Sequence, residues 1–224
     1  VELEGPVKKI TLGNKEVVEA KAVIVASGSA YRKLGIPDED RLSGYGVSWC
    51  ATCDGAFYRQ KTVAVVGGGD SAMEEATFLT RFADKVYLIH RSENLRASAA
   101  MLDRARNDPK IEFILNATVE HIYGDDLVSG IGIVDTSSGN ETTLDVSGLF
   151  IAIGSDPRTH VVHGQLELTD EGTIAVEGRT SHTNLTGVFA AGDVIDSTYR
   201  QAITAAGSGC TAALDAQHYL ESLS

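Results

Sequence analysis

Two cysteines, Cys50 and Cys53, are separated by two residues and followed directly by an acid, Asp54. A thiol pair at this spacing can cycle between dithiol and disulfide, and a neighbouring carboxyl can protonate the leaving thiolate. Further along the chain, the stretch from Gly67 to Ala72 has the glycine spacing of a turn that binds nucleotide phosphates. Together the two motifs suggest that electrons pass from a nicotinamide to a disulfide.

The glycine-rich stretch lies between a predicted buried strand, residues 61–66, and a predicted helix. Gly67 allows a tight turn, Gly69 lets the backbone approach a pyrophosphate, and the small Ala72 lets the helix pack on the strand. The free N–H groups at the start of the helix favour an anion. The alternative, an ordinary glycine-rich connection, is disfavoured by this strand and helix context.

The end of the following strand is basic, with His90 and Arg91 and then Arg96. An NAD site usually has an acid here, whereas an arginine accommodates the 2′-phosphate of NADP. Residues 81–106 hold six Lys and Arg against three Asp and Glu, a local charge of +3 in a chain of −12. The sequence therefore predicts NADP. The alternative, a solvated helix face, fits Arg104 and Arg106 but is disfavoured for Arg91.

Three interpretations of the cysteine pair are open. A structural zinc site needs four ligands, and neither Cys210 nor the six histidines supply a second pair at suitable spacing. A thioredoxin-like site would begin a helix after a strand, but residues 49–55 show no helical pattern. A disulfide reduced by a bound flavin is the third, since flavin relays hydride to a disulfide. Asp54 is either a proton donor or a turn former before Gly55.

Composition sets broad limits. The chain has 224 residues, of which 43% are hydrophobic, enough for one large or two small domains. Its net charge of −12 argues against a nucleic-acid partner. No apolar run is long enough for a membrane span, and three cysteines are too few for a secreted disulfide framework, so we expect a cytoplasmic protein.

Strands and helices alternate along the chain. A hairpin is predicted around Gly13-Asn14, and a β-α-β unit runs from residue 61 to residue 89. Its helix has Ala72, Ala76, Leu79 and Ala83 on one face. Further elements are predicted as strands at 22–26, 111–115, 119–123, 131–135, 149–153 and 188–191, and as helices at 97–106 and 201–220.

These motifs occur in an order that resembles low-molecular-weight, bacterial-type thioredoxin reductases. The resemblance covers essentially the whole chain and adds two further motifs, Gly192-Asp193 and Arg200-Gln201-Ala202. It implies an α/β fold with two Rossmann-like domains of the FAD/NAD(P)-binding, three-layer ββα kind. The NADPH domain, 32–154, carries the redox disulfide and is inserted between FAD-domain segments 1–31 and 155–224.

The resemblance also implies a mechanism. Hydride passes from NADPH to FAD, FAD reduces the Cys50–Cys53 disulfide, and the dithiol reduces thioredoxin by exchange. One domain rotates against the other between half-reactions, with a hinge expected near 31–33 and 155–157. The full-length enzyme would be a homodimer, without nucleic-acid or membrane partners.

The resemblance assigns roles residue by residue. Asp54 matches the proton donor beside the cysteine pair, and Cys210 has no family role and is expected to be a small buried thiol. The NADPH site comprises Gly67, Gly68, Gly69, Asp70, Ser71, Glu74, His90, Arg91, Arg96 and Gly154. The FAD site comprises Gly192, Asp193, Arg200, Gln201 and Ala202. No metal is expected.

The chain departs from the family pattern in three places. The GxGxxG turn that holds the FAD pyrophosphate is absent, and the first residue lies within a strand-like pattern, so we expect an N-terminally truncated chain. Ser92 and Glu93 follow Arg91, where a second arginine is common. Trp49 and Ala56 flank the dithiol where a small residue and an aromatic residue are expected.

The truncation leads to an expectation about the chain itself. Segments 1–31 and 155–224 would be poorly ordered, paired with another copy or completed by another polypeptide. Two alternatives to the reductase follow from the same features. One is an NADP-binding fragment without turnover, and the other is the flavoprotein of an alkyl hydroperoxide reductase system.

Overall fold

The computed structural model describes residues 1–223. The chain forms two compact units. One unit, the insert unit, is Tyr31–Gly154. The other, the outer unit, combines residues 1–30 with the chain from residue 155 onward. The chain therefore leaves the outer unit once, builds the insert unit from one continuous segment, and then returns.

Fourteen strands and four α-helices are present in the described residues. The strands are β1 (Lys8–Thr11), β2 (Val17–Ala20), β3 (Val23–Val25), β4 (Ser29–Tyr31), β5 (Val47–Ser48), β6 (Thr62–Val66), β7 (Lys85–His90), β8 (Ile111–Leu115), β9 (Ala117–Tyr123), β10 (Gly130–Asp135), β11 (Glu141–Leu144), β12 (Gly148–Ile151), β13 (Ser155–Pro157) and β14 (Val188–Ala190). The helices are α1 (Ala51–Asp54), α2 (Asp70–Leu79), α3 (Ala99–Arg106) and α4 (Ala202–Glu221).

The insert unit is built on a five-stranded sheet of order β5-β12-β6-β7-β8. Each pair of neighbouring strands in it is parallel. β6 and β12 are almost entirely buried, as expected of parallel strands that are covered on both faces. The β6-α2-β7 unit agrees with the sequence prediction, because a buried strand, a helix with one apolar face and a second buried strand follow in order.

Two further layers cover the parallel sheet. One face packs against α1, α2 and α3 through a cluster that includes Ala51, Val65, Ala76 and Leu88. The other face packs against the antiparallel sheet β11-β10-β9. The insert unit is therefore a three-layer ββα arrangement of the Rossmann-like kind.

The outer unit has less regular structure. β1 and β2 form the predicted antiparallel hairpin, and β3 pairs in parallel with β14. One hydrophobic cluster is centred on Leu3, Val25 and Ile174, and a second joins Phe189 to Ala212 and Ala216 of α4. Poor order, one of the three alternatives expected for these segments, is therefore not what the structure shows.

Several sequence predictions need correction. Ala83 is buried as expected but lies beyond the end of α2, because the chain turns after Leu79. The short strand β5 and the polar strand β11 were not predicted. Within residues 1–223, no helix is long and apolar enough to cross a membrane.

Candidate active site

The cysteine pair lies at the start of a short helix. Cys50 and Cys53 form a disulfide with their Cα atoms 5.3 Å apart, which confirms the predicted pairing. Cys50 is the N-cap residue of α1, and its Sγ accepts a hydrogen bond from the backbone N–H of Cys53 at 3.2 Å. The expectation that this stretch lacks helical structure is wrong. A single helical turn is too short to show an apolar period in the sequence.

Asp54 is tied to the backbone beside the disulfide by a buried serine. The hydroxyl of Ser48 donates to Asp54 Oδ2 at 2.6 Å and accepts from the backbone N–H of Cys50 at 3.1 Å. Ser48 is only 5% exposed. The Asp54 carboxyl is therefore held near the disulfide in two ways, through the backbone of α1 and through the hydroxyl of Ser48. Sequence reasoning missed Ser48, since a single serine after Gly46-Val47 carries no distinctive signal.

Tyr58 lies at the other end of this region, in the 3-10 turn Gly55–Tyr58 that follows α1. We call residues 50–58 the dithiol segment. Burial raises the pKa of Tyr58, and the negative charge of Asp54 raises it further. Its ring packs edge-on against Phe150 of β12, with the centroids 5.2 Å apart. The dithiol segment is thus anchored on the parallel sheet.

Trp49 holds the other side of the dithiol segment. Its indole N–H donates to the carbonyl of Arg32 at 3.2 Å, and its ring stacks on Tyr31 with centroids 6.2 Å apart. The backbone N–H of Arg32 in turn donates to the carbonyl of Gly154 at 3.0 Å. The residue before Cys50 therefore contacts the first two residues of the insert unit, and the second of these contacts the last residue of that unit.

The glycine turn has close packing on one side and open space on the other. A Cβ on Gly67 would lie 2.3 Å from the carbonyl oxygen of Ala152, and its φ is +155°. A Cβ on Gly68 would lie 2.4 Å from the imidazole of His90. No atom lies within 4 Å of the corresponding position on Gly69, so the backbone there is open to a ligand.

α2 begins directly after this turn, with Gly69 as its N-cap residue. Asp70 in its first turn accepts a hydrogen bond from the backbone N–H of Ser98 at 2.6 Å. Asp70 therefore holds the loop that leads into α3. Ser71 and Glu74 are exposed on the same helix, where a bound ligand can reach them.

Two exposed arginines follow β7. Within the described part of the chain, the guanidinium groups of Arg91 and Arg96 form no ion pair. The carboxylate of Glu93 instead accepts a hydrogen bond from Asn116 at 3.2 Å. The His90 Nδ1 atom lies 2.9 Å from the carbonyl oxygen of Ser92. The two cationic groups are therefore available to an anionic ligand.

The dithiol segment and the glycine turn lie at the same edge of one sheet. β5 ends at Ser48, two residues before Cys50, and β6 ends at Val66, directly before Gly67. Both strands run parallel to β12, which lies between them. Arg91 follows β7 and Gly154 follows β12 at this carboxyl edge. Neighbouring strands are about 4.8 Å apart, so β5 and β6 are separated by about 10 Å.

The predicted flavin-contacting residues all belong to the outer unit. Gly192 follows β14 with a φ of +78°, and the carboxylate of Asp193 accepts a hydrogen bond from Ser29 at 3.2 Å. The guanidinium of Arg200 donates to Ser155 at 2.9 Å. Gln201 is the N-cap of α4, and Ala202 is its first residue. β14 therefore ends just before the Gly192-Asp193 motif, and α4 begins at the Arg200-Gln201-Ala202 motif, as the sequence predicts.

Cys210 is exposed on α4, so the expectation of a buried thiol is wrong. The described residues leave its face of the helix uncovered. Within residues 1–223, no group of three His, Cys, Asp or Glu side chains is arranged to hold a metal ion.

Glu75 is a second residue that sequence reasoning missed. It lies on the partly buried side of α2, and its Oε2 atom is buried without a hydrogen-bond partner among the described residues. Burial, together with a smaller effect of the charge of Glu74, raises its pKa to about 8. The signal was present in the sequence, because Glu75 stands in the apolar spacing of Ala72, Ala76 and Leu79.

Comparison with known proteins agrees with this geometry. The family described as pyridine nucleotide-disulphide oxidoreductase matches residues 1–209. A thioredoxin reductase from Mycolicibacterium smegmatis is 59% identical over 220 residues, which are 98% of this chain and 70% of that protein. The chain belongs to the bacterial-type thioredoxin reductases of this family. A thioredoxin reductase from Streptomyces clavuligerus is 58% identical over 223 residues, which cover 69% of its length.

Solved structures of the family have the same fold. The thioredoxin reductase from Streptococcus pyogenes superimposes with a TM-score of 0.92 at 42% identity, over 99% of this chain and 72% of that one. The enzyme from Giardia duodenalis gives 0.90 at 42% identity, over 98% and 72%. Membership of this family implies a flavin and a pyridine nucleotide as cofactors.

Proposed function

We propose that this chain acts as an NADPH-dependent thioredoxin reductase, in which the Cys50–Cys53 disulfide accepts electrons through FAD and passes them to thioredoxin. The observation that carries the proposal is the shared sheet edge. A bonded cysteine pair with a neighbouring carboxyl and an open glycine turn stand at the carboxyl ends of strands in one parallel sheet. Ligands of such sheets bind at this edge.

The residues of the insert unit fit a pyridine nucleotide. The open backbone at Gly69 and the start of α2 suit a pyrophosphate, because free N–H groups point towards it. Arg91 and Arg96 would hold the 2′-phosphate by charge-assisted hydrogen bonds. Asp70, Ser71, Glu74, His90 and Gly154 complete the proposed NADPH site. On this basis the insert unit is the NADPH domain.

The residues of the outer unit fit part of a flavin site. Gly192 has the positive φ that permits a close approach, and the exposed first turn of α4 offers small residues beside Arg200. Gly192, Asp193, Arg200, Gln201 and Ala202 would contact the ribityl chain and the ring. When bound, FAD supplies the two-electron relay between a hydride donor and a disulfide. On this basis the outer unit is the FAD domain.

The dithiol segment carries out the exchange with the protein substrate. After reduction, one thiolate attacks the disulfide of thioredoxin, which breaks that bond and forms a mixed disulfide. The second thiol of the pair then displaces thioredoxin as a dithiol and restores the Cys50–Cys53 bond. A thiolate at Cys50 would be stabilised by the backbone N–H of Cys53, which already donates to that sulfur. Asp54 would transfer the proton.

The test uses serine variants of the pair. In chain loaded with FAD, Cys50→Ser and Cys53→Ser should each abolish NADPH-dependent reduction of thioredoxin. The Kd for NADPH, measured by calorimetry, should change by no more than about twofold, which is about 0.4 kcal/mol of binding free energy. Cys210→Ser is the matched control and should remain active. A Cys53→Ser protein that still reduced thioredoxin would show that the assignment is wrong.

The same experiment tests the alternative of a binding fragment without turnover. If the unmodified chain binds NADPH but neither retains FAD nor reduces thioredoxin, the reductase proposal fails for this chain, and nucleotide binding alone remains.

A further inference from the structure

Two exposed arginines lie beside the dithiol segment and are held in place by aromatic rings. The guanidinium of Arg59 lies over the ring of Phe82, and that of Arg81 lies over the ring of Phe78, each 5.1 Å from the ring centroid. The two rings contact each other, with their centroids 5.6 Å apart. Because a ring face attracts a cation, each arginine is partly immobilised while its charge stays in solvent.

This pair of rings packs directly against the dithiol segment. A Cβ on the buried Gly55, two residues after Cys53, would lie 3.4 Å from Phe82 Cδ2 and 3.5 Å from Phe78 Cε1. The backbone N–H of Gln60 also donates to the carbonyl of Phe82 at 3.0 Å. The rings that hold the two arginines are therefore fixed to the segment that carries the redox pair.

Arg59 lies on the same side of the dithiol segment as the exposed cysteine. The 3-10 turn Gly55–Tyr58 follows α1, and residues three apart lie one above the other in this geometry. Cys53, Ala56 and Arg59 have this spacing, and all three are exposed. With a rise of about 1.5–2 Å per residue, the backbone of Arg59 is on the order of 10 Å from that of Cys53.

This distance is within the reach of a docked protein. A stable interface covers about 800 Å² on each partner, which corresponds to a disc with a radius of roughly 16 Å. A protein whose disulfide lies at Cys53 therefore also covers Arg59. The residue between them, Ala56, is one of the departures from the family pattern, and its methyl group leaves the surface open where an aromatic ring would occupy it.

The surface around the two arginines is basic, although the chain as a whole is acidic. Across residues 51–61 and 78–84 there are three Arg and Lys against two Asp, a local charge of +1 in a chain of −12. One of these acids, Asp54, accepts the hydroxyl of Ser48. Arg59 and Arg81 form no ion pair within residues 1–223. Both cations are therefore available to the carboxylates of a partner.

We propose that Arg59 and Arg81 form a docking surface for the protein disulfide substrate, and that they select a partner with carboxylates beside its disulfide. This rests on the proposed function, because the partner is the thioredoxin that receives electrons from the Cys50–Cys53 pair. Charges at the rim of an interface mainly accelerate encounter and reject partners of the wrong charge. The two arginines are thus specificity residues and take no part in the exchange chemistry.

The experiment follows the exchange step alone, without nucleotide or flavin. The Cys50–Cys53 disulfide is reduced with dithiothreitol, which is then removed. On mixing with oxidised thioredoxin, the two thiols of the pair lose two electrons and two protons and form their disulfide, while the thioredoxin disulfide breaks and becomes two thiols. Rapid quench with a thiol-alkylating reagent gives the second-order rate constant. The parent protein is Cys210→Ser, which lacks the exposed third thiol.

Three variants of this parent are compared with it. One replaces both Arg59 and Arg81 by Ala, and a second replaces both by Lys, which keeps the charges. The third, Arg104→Ala, is the control, because it removes an exposed arginine from the last turn of α3.

The proposal predicts a loss that depends on salt. At an ionic strength of about 0.01 M, the double alanine variant should react with thioredoxin about threefold to tenfold more slowly than the parent. At about 1 M the Debye length is about 3 Å, and the two rate constants should agree within about 1.5-fold. The double lysine variant should keep most of the parent's rate at low salt, and Arg104→Ala should match the parent throughout.

Three results would overturn the proposal. The first is an alanine variant as fast as the parent at low salt. The second is an equal loss at both ionic strengths, because salt does not screen a purely structural defect. The third is a lysine variant as slow as the alanine variant, since the proposed selection depends on charge.

A second measurement does not depend on thioredoxin. Two cyclic disulfide peptides are used, which differ only in having Glu or Gln side chains beside the disulfide. At low ionic strength the ratio of the rate for the Glu peptide to that for the Gln peptide should be about threefold higher for the parent than for the double alanine variant. Equal ratios would overturn the proposal. If the chain fails to use NADPH or to reduce thioredoxin, the peptides still give this ratio, so failure of the proposed function is distinguishable.

Discussion

The hydroxyl of Ser48 lies 2.6 Å from Oδ2 of Asp54 and also accepts the backbone N–H of Cys50. A single buried oxygen therefore joins the proposed proton donor to the first cysteine of the redox pair. The strand β5 ends at Ser48, so the position of this oxygen is set by the parallel sheet. The geometry of the proton-transfer group thus depends on a residue that does no chemistry itself.

We predict that Ser48→Ala slows thioredoxin reduction about tenfold, the effect of about 1.4 kcal/mol, because Asp54 loses the hydrogen bond that orients it. Steady-state assays with thioredoxin measure the loss. Ser43→Ala, an exposed serine in the preceding loop, is the control and should have normal activity.

A double variant separates positioning from a general loss of stability. If Ser48 acts through Asp54, then adding Ser48→Ala to Asp54→Asn should cost little beyond Asp54→Asn alone. Fully additive losses would mean that Ser48 acts independently of Asp54.

Arg91 determines nucleotide choice in the proposed site. Its guanidinium is exposed and unpaired within the described residues, so its loss should mainly affect the 2′-phosphate. We predict that Arg91→Ala weakens NADPH binding by about 1.5–3 kcal/mol, the range for a hydrogen bond to a charged group, and leaves NADH binding almost unchanged. Calorimetric titration with both nucleotides measures the difference.

The control for this prediction is Arg106→Ala, which removes an exposed arginine from the last turn of α3. It should bind NADPH nearly as well as the unmodified chain. If Arg91→Ala loses the same binding free energy for NADPH and for NADH, Arg91 has a structural role.

Trp49 provides an optical signal of the redox state. It is the single tryptophan of the chain and directly precedes Cys50. Disulfides quench nearby indole fluorescence, so reduction of the Cys50–Cys53 bond should raise the emission of Trp49. The measurement is a fluorescence titration with dithiothreitol. A Cys50→Ser, Cys53→Ser double variant should show no change, and an increase in that variant would assign the signal to another cause.

The parallel sheet and the glycine turn were predictable, whereas the fine structure of the dithiol segment was not. β6, α2 and β7 carry long apolar patterns and a glycine turn with a steric requirement at Gly67. α1 spans one turn, and β5 spans two residues, too short for any period to appear. Their positions depend on tertiary contacts, such as Tyr58 against Phe150.

The burial of some side chains was predicted correctly and that of others was not, because burial also depends on tertiary contacts. Ala72 and Leu79 follow the helical period and are buried as expected. Cys210 is exposed although its helix is rich in small residues, because burial depends on which elements cover a face. Glu75 is partly buried because it stands in the apolar spacing of α2, and a rule that places every charged residue in solvent does not predict this.

The stability of the chain should depend on pH through Glu75. Its pKa rises from 4.5 to about 8 on folding, so between these values the folded state binds a proton that the unfolded state has released. The neutral carboxyl therefore contributes stability fully below the unfolded value, and that contribution is lost as the pH rises through the folded value. Over the whole range between these two values, a shift of this size corresponds to a loss on the order of 5 kcal/mol, since each pKa unit is about 1.36 kcal/mol.

We predict that Glu75→Gln removes this dependence. Urea unfolding at pH about 5 and about 9 should show the variant gaining stability relative to the unmodified chain as the pH rises, by an amount on the order of 4 kcal/mol. The amide keeps the shape of the side chain and cannot ionise. Glu141→Gln, on the exposed side of β11, should follow the unmodified chain at both values. If the free energies of unfolding of Glu75→Gln and the unmodified chain differ by the same amount at both pH values, the Glu75 carboxyl does not titrate in this range.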